Sequence, residues 1–181
     1  MARHVAEAVS GREAALEVAA GTGMVTVIVA PVTRRYVATD QAGGMLAILR
    51  RRTRGLDHVE VRAADALALP FEDATFDAVV MANLVHLLPE PERALAEAHR
   101  VLRPDGLLAV PTFCHGANAL AATLSRLIAL TGFPIATRFR GPDLDELIRA
   151  ASFQVVDART FGGLLPVRSV IARRSGSRPG S

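Results

Sequence analysis

Lysine is absent from the chain, and all 21 basic residues are arginine. The result is a sequence pI near 10.3 beside a formal net charge of only +3. A high pI therefore does not bring a strong positive field at neutral pH. Nucleic-acid binders carry a basic stripe interleaved with aromatic side chains. Here the basic residues cluster in Leu49–Arg54 (LRRRTR) and in Arg173–Arg178. The first cluster reads as a solvated helix end, since cations suit a last helical turn. The second runs into SGSRPGS and reads, over 175–181, as a disordered tail. No nucleic-acid partner is expected. Cysteine occurs once, as Cys114, which excludes an internal disulfide and points to a cytoplasmic location. No apolar run reaches the roughly 18 residues of a membrane span, and the opening MARHVAEAVSGRE lacks the apolar segment of a secretory signal. His86 and His115 have no nearby carboxylates in sequence, so no metal site is expected.

Half of the 181 residues are hydrophobic, enough for one sizeable core, and a single domain over 1–174 is expected. Val5 and Val9 mark a short lead-in helix within 1–13. Ala14–Ala19 reads as a buried first strand, followed by a turn built on Gly21 and Gly23. Glycine tolerates positive φ and lets backbone approach a ligand closely. Met24–Thr33 is rich in β-branched residues, which favour a strand. Its place after a glycine turn favours a helix closed by Pro31, and a helix is taken. Tyr36–Thr39 is the second strand, Gly44–Arg54 a helix, Val59–Arg62 the third strand and Thr75–Met81 the fourth. Pro91–Arg103 is a helix with Pro91 near its start, Glu90 and Glu92 at its first turn, and Pro104 and Gly106 as stops. Leu107–Pro111 is the fifth strand. Leu120, Leu124, Leu127 and Ile128 mark a further helix, as do Leu144, Leu147, Ile148 and Ala151. Phe153–Arg159 and Val167–Ala172 are two last strands whose link is too short for a helical crossover, so they must be antiparallel. Alternating strands and helices predict an α/β fold on a mostly parallel sheet.

Ligands of such sheets bind at the carboxyl ends of the strands. Asp40 ends the second strand and lies 17 residues after Gly23. A carboxylate there can accept both hydroxyls of a ribose, and its alternative role is to cap the following helix. Asp65 follows the third strand, where it could accept from an adenine amino group or simply close a turn. Asp77 lies inside the fourth strand.

The stretches LEVAAGTG (Leu16–Gly23), YVATDQAGGML (Tyr36–Leu46), DALALPFEDATFDAVVMANLVHLL (Asp65–Leu88) and EAHRVLRPDGLLAV (Glu97–Val110) share an order and spacing. In these the chain resembles the class I S-adenosylmethionine-dependent methyltransferases of the small-molecule, ubiquinone/menaquinone-biosynthesis type. The resemblance covers about residues 14–172. It implies a three-layer, Rossmann-like sheet of seven strands, order 3-2-1-4-5-7-6, with the seventh antiparallel. It also implies S-adenosylmethionine as cofactor. Gly21, Gly23 and the backbone at Ala19 would line its methionine part. Glu17 would hold the glycine loop and help with the amino group. Asp40 would take the ribose, with Gln41 and Met45 flanking ribose and adenine. Asp65 and the N–H of Ala66 would read the adenine edge, and the backbone at Asn83 would lie beside the transferred methyl. Two departures stand out. Ala19 replaces the family's first glycine, a change that is tolerable if the residue keeps a negative φ. The lead-in is shorter than the segment that covers the site in relatives.

The implied reaction is direct displacement on the sulfonium methyl, with the protein orienting the partners in a dry site. His86, just past the fourth strand, is the candidate general base, needed where the nucleophile is a weak acid. His115, after the fifth strand, is a candidate substrate contact, and Cys114 reads as a small buried apolar residue. Ala117–Thr131 and Gly132–Arg140 sit where substrate-capping material is expected. They are apolar, with Arg138 and Arg140 at one end, which suggests an apolar small-molecule acceptor with an anionic group. A homodimer is compatible with these features. Two other readings differ in function. One is a cofactor-binding accessory protein without turnover, suggested by Ala19 and the short lead-in. The other is a nicotinamide-dependent oxidoreductase, which would need a third glycine where Thr26 stands.

Overall fold

The computed structural model describes residues 1–114, 141–162 and 166–175. In chain order the elements are α1 (Ala2–Val9), β1 (Ala14–Glu17), α2 (Thr26–Val29), β2 (Arg35–Asp40), α3 (Gly43–Arg52) and β3 (Val59–Ala63). There follow β4 (Phe76–Val80), α4 (Pro91–Val101), β5 (Leu102–Phe113), α5 (Gly141–Ala150), β6 (Phe153–Phe161) and β7 (Val167–Arg174). The sheet order is β3-β2-β1-β4-β5-β7-β6. β1 to β5 pair in parallel, and β7 runs antiparallel to both β5 and β6.

The central strands are apolar on both faces because helices cover both. All four residues of β1 are buried. On one side Val5, Val9, Val29, Leu46 and Leu49 from α1 to α3 pack over Ala15, Tyr36, Ala38 and Val80. On the other, Ala94, Leu95, Ala98 and Val101 from α4 and Leu144 and Ile148 from α5 pack over Leu16, Val37, Val79 and Leu108. Each of the valines, leucines and Ile148 among them, fully buried, contributes roughly 1.5–3 kcal/mol, and each alanine less. β3, at the sheet edge, keeps Glu60 and Arg62 exposed, as an edge must to resist further pairing.

The elements differ from expectation mainly in length. The helix expected over Met24–Thr33 is one α-turn, Thr26–Val29, continued by a 3-10 turn at Ala30–Val32, where Pro31 removes a donor. β5 begins at Leu102 and takes in Arg103 and Pro104, which had been assigned to the end of α4 and its stop. The helix marked by Leu120 to Ile128, the capping segments up to Arg140, His115, and the tail from residue 176 lie outside the described residues.

Within the matching stretch Asp65–Leu88, the Leu-Pro-Phe block Leu69–Phe71 is held in place by two side chains of α4. Arg100, on α4, donates to the carbonyls of Leu69 (2.9 Å) and Phe71 (2.7 Å) and to Asp73 Oδ1 (2.9 Å). Glu97, one turn earlier, accepts the Leu69 N–H at 2.7 Å and holds the same guanidinium at 2.8 Å. The guanidinium lowers the Glu97 pKa below its ordinary value. A Glu-x-x-Arg pair on one helix face thus fastens the loop between β3 and β4, and with it the stretch at Asp65.

Candidate cofactor-binding site

The carboxyl ends of β1, β2, β3 and β4 surround a cavity of about 570 Å³, within the range of small-molecule sites. Its wall comes from four loops: Ala19 and Gly21 after β1; Asp40, Gln41, Ala42 and Met45 after β2; Ala64 to Leu67 after β3; and Asn83, Leu84, Leu87 and Leu88 after β4. Ala19, Gly21, Asp40, Gln41, Met45, Asp65, Ala66 and Asn83, separated by up to 64 positions in sequence (83 − 19), are thereby brought together.

The bend after β1 is left-handed at every second residue: Ala19 φ +56, Gly21 φ +57, Gly23 φ +81. Ala19 therefore does not keep the negative φ that would make the change tolerable. An L-residue there costs roughly 1–2 kcal/mol, and the bend bears that cost through its surrounding bonds. Ala20 N–H donates to Thr39 O (2.7 Å), Gly23 N–H to Ala20 O (2.9 Å), and Arg52 of α3 to Thr22 O (2.9 Å). Gly21 N–H donates to Asp40 Oδ2 at 2.8 Å.

The two glycines differ in role. A Cβ at Gly21 would meet nothing within 4 Å, so it would project into the cavity. A Cβ at Gly23 would stand 2.6 Å from Leu49 Cδ1. Gly23 does not line the cavity; it lets α3 pack against the bend.

Asp40 is buried at the cavity wall. Its Oδ1 accepts the Ala42 N–H at 2.9 Å, and Oδ2 accepts Gly21. A carboxylate has about four acceptor directions, so these two bonds leave capacity for two donors from the cavity. Asp65 is exposed, with Oδ1 accepting the Leu67 N–H at 2.9 Å. The turn role and the cavity role thus coincide in that residue. Asn83 also adopts positive φ (+53), its N–H donates to Pro111 O (2.7 Å), and its Oδ1 is buried with no partner among the described residues.

Two other expectations are corrected. Glu17 points away from the cavity into the core, where it is 1% exposed. Its Oε2 accepts the hydroxyls of Thr26 (2.6 Å) and Tyr36 (3.0 Å). Burial lifts its pKa to about 7 against the pull of those two bonds. Glu17 thus ties α2 and β2 to β1 and supports the bend from behind. His86 is likewise buried, with Nδ1 2.8 Å from Thr112 Oγ1 and its ring edge-on to Phe113. The lining of the cavity after β4 is Asn83, Leu84, Leu87 and Leu88, and His86 is not part of it. Among the described residues lining the cavity, the titratable side chains are Asp40 and Asp65, and no group of metal-ligating residues occurs among the described residues. Cys114 is buried, and burial raises its thiol pKa, as its apolar reading requires. Asp77 serves the opposite rim, accepting the Ala14 N–H at 3.0 Å and pairing with Arg103 at 2.9 Å. The Arg100–Glu97 clamp was not recognised from sequence, although Glu97 and Arg100 stand three apart in the matching stretch.

Comparison with known proteins agrees with this architecture. A family model described as a methyltransferase domain matches residues 16–110. A demethylmenaquinone methyltransferase of Clavibacter sepedonicus is 42% identical over 101 residues, covering 56% of this chain and 41% of its own length. The chain therefore spans less than half of that relative. Among solved structures, the YcgJ protein of Bacillus subtilis superposes with a TM-score of 0.83 at 13% identity over 97% of this chain and 98% of its own. A geranyl diphosphate methyltransferase in complex with S-adenosylmethionine gives 0.77 at 16% identity over 96% and 84%. At such identities the likeness is one of fold. Matched by the family model over half its length, the chain belongs to the methyltransferase domain family, the S-adenosylmethionine-dependent class whose strand order its sheet reproduces.

Proposed function

We propose that the chain moves the methyl group of S-adenosylmethionine onto a small apolar acceptor, an aromatic ring of the reduced-quinone type, by direct displacement, with S-adenosylhomocysteine as leaving group and the proton of the methylated ring carbon released to solvent. The observation that carries this is the cavity itself. A cofactor-sized space at the carboxyl ends of the strands is edged by Gly21, Asp40 and Asp65 and otherwise largely apolar. The residues suit the cofactor. Gly21 leaves room for the methionine part to lie on the backbone. The free acceptor directions of Asp40 match two ribose hydroxyls, flanked by Gln41 and Met45. Asp65 and the Ala66 backbone suit an adenine edge. Asn83 lines the cavity with a buried unpaired oxygen, which supports a place for its backbone beside the transferred methyl. When bound, the cofactor supplies the electrophilic methyl. The protein orients it and excludes water. The acceptor class rests on the 42% identical relative and its name. The protein would act in the cytoplasm.

Calorimetric titration with S-adenosylhomocysteine tests the site. Methyl transfer from labelled S-adenosylmethionine to reduced, short-chain demethylmenaquinone tests the acceptor. Saturable binding with incorporation into the quinol is expected. Binding with incorporation only into polar amines would overturn the acceptor class, and no binding by folded protein would overturn the whole reading. Ala19 favours a second reading, an accessory protein that binds without turnover, because its Cβ lines the cavity where the family has glycine. If that reading holds, Ala19→Gly restores transfer that the parent lacks.

A further inference from the structure

The sulfur atoms of the chain belong to Cys114 and to Met1, Met24, Met45 and Met81. They differ in what can reach them. Met81, just past β4, is fully buried, and Cys114 is buried as well. Thiol oxidation runs through the thiolate, and burial raises the Cys114 thiol pKa, so that form is scarce. Met24 is 65% exposed and Met45 42% exposed. Met1 is partly exposed. Of these three accessible methionines, Met45 is the one that lines the cavity.

Met45 stands on the first turn of α3, directly after the loop that carries Asp40. Leu46 and Leu49 of the same helix turn into the core, and Met45 is left to the cavity rim. Ala42, Ala64, Ala66 and Leu67, from the loops after β2 and β3, share that rim with the carboxylates of Asp40 and Asp65. A thioether is apolar and polarisable and suits such a wall. A sulfoxide is polar, and its oxygen accepts hydrogen bonds without donating any. Turned inward, that oxygen meets apolar side chains and two carboxylates. Turned outward, it withdraws the side chain from the ligand. Either way the rim holds a ligand less well.

We propose that Met45 is an oxidant-sensitive modification site: hydrogen peroxide converts it to the sulfoxide, and the cavity then binds its ligand more weakly. The sulfur lone pair attacks one peroxide oxygen, the O–O bond breaks as the S–O bond forms, and water leaves. Sulfur is oxidised by two electrons and the peroxide is reduced by two. A bound ligand covers the sulfur and slows the same step. The inference rests on the cavity taking the cofactor, as proposed above.

The test treats the full chain with hydrogen peroxide, with and without S-adenosylhomocysteine, and follows each methionine by peptide mass spectrometry. Met24 and Met45 should oxidise while Met81 stays reduced. With ligand at about ten times its Kd, Met45 oxidation should slow roughly tenfold and Met24 oxidation should not change. Calorimetry then compares S-adenosylhomocysteine affinity before and after peroxide. Parent and Met24→Leu should each lose about tenfold, and methionine sulfoxide reductases should restore it. Met45→Leu, whatever affinity it starts from, should keep that affinity through the peroxide step. The circular dichroism melt should be the same before and after. No binding by the untreated, folded chain would overturn the cofactor reading and this inference with it. Binding that Met45 oxidation leaves unchanged would overturn this inference alone. So would a Met45 that stays reduced, a loss that Met45→Leu does not prevent or that Met24→Leu does, or a loss that comes with unfolding.

Discussion

Replacing Glu17 by Gln isolates a carboxyl buried in the core. The Glu17 carboxyl is fully buried, and burial lifts its pKa from 4.5 to about 7, with the Thr26 and Tyr36 hydroxyls opposing. The Tyr36 phenol is itself raised well above its ordinary value, by burial first and by Glu17 next, so it stays a donor across the neutral range. The folded chain therefore holds the Glu17 proton more tightly than the unfolded chain. The stabilisation is whole below pH 4.5, drains as the pH rises to about 7, and changes no further above that. The gap between 4.5 and about 7, at roughly 1.4 kcal/mol per pH unit, amounts to about 3 kcal/mol. Gln has nearly the same shape and does not titrate. Every other group titrates alike in both proteins, so the difference between their stability curves reports Glu17. Urea unfolding of parent and Glu17→Gln at pH values from about 4 to about 8 gives that difference. Parent stability relative to the variant should fall by about 3 kcal/mol across the range, mostly between 4.5 and about 7. A difference flat within about 0.5 kcal/mol, or one rising with pH, would refute the reasoning. A rise would mean that the two hydroxyl bonds outweigh burial and that the folded core prefers the carboxylate.

The two glycines of the bend should separate in assay. Gly23→Ala forces a Cβ to 2.6 Å from Leu49 at φ +81 and should cost about 2–4 kcal/mol in urea unfolding. Gly21→Ala, at φ +57 with open space before it, should cost about 1 kcal/mol in stability while weakening S-adenosylhomocysteine at least about tenfold in calorimetry. Equal behaviour of the two would count against the cavity as the cofactor site. If Asp40 receives the ribose hydroxyls as proposed, Asp40→Asn should weaken the same ligand by about 10–100-fold, with a smaller loss of stability. Arg100→Met releases the Leu69 and Phe71 carbonyls and leaves Glu97 without its cation. At 32% exposure of the guanidinium, a loss of about 1–3 kcal/mol is expected, and hydrogen exchange should quicken in 69–73. Protection unchanged there would show that the clamp is not what holds the loop.

The alternation of layers was legible because it depends on apolar runs and on the positions of turn residues, whereas the sheet order came from the family resemblance. Val79 and Val80 need only be apolar to declare a covered strand, and Asp40 and Asp65 need only follow strands to reach the carboxyl rim. Lengths were less legible, because they depend on partners far away in sequence. β5 runs back to Leu102 because Phe76 pairs with it there, despite Pro104 and Gly106 two and four residues on. Side-chain direction was the least legible property of all. Glu17 and His86 both stand next to the ligand-bearing loops in sequence, yet each turns to a hydroxyl partner that only the folded sheet supplies: Tyr36 and Thr26 for one, Thr112 for the other. Glu17, on a strand, has an even choice of faces, and His86, in the 3-10 turn Val85–Leu87, a comparable freedom; in each the buried hydroxyl decides it. The same logic explains why the Leu-Pro-Phe block was conspicuous while its fastening was not. The block is a run of neighbours and can be read as a pattern. Arg100 joins it from some thirty residues downstream (100 − 71 = 29) and gains meaning only when α4 packs beneath the loop. What positions the cavity at the carboxyl ends of the strands is therefore a set of polar contacts, each between a recognisable motif and an ordinary-looking residue elsewhere.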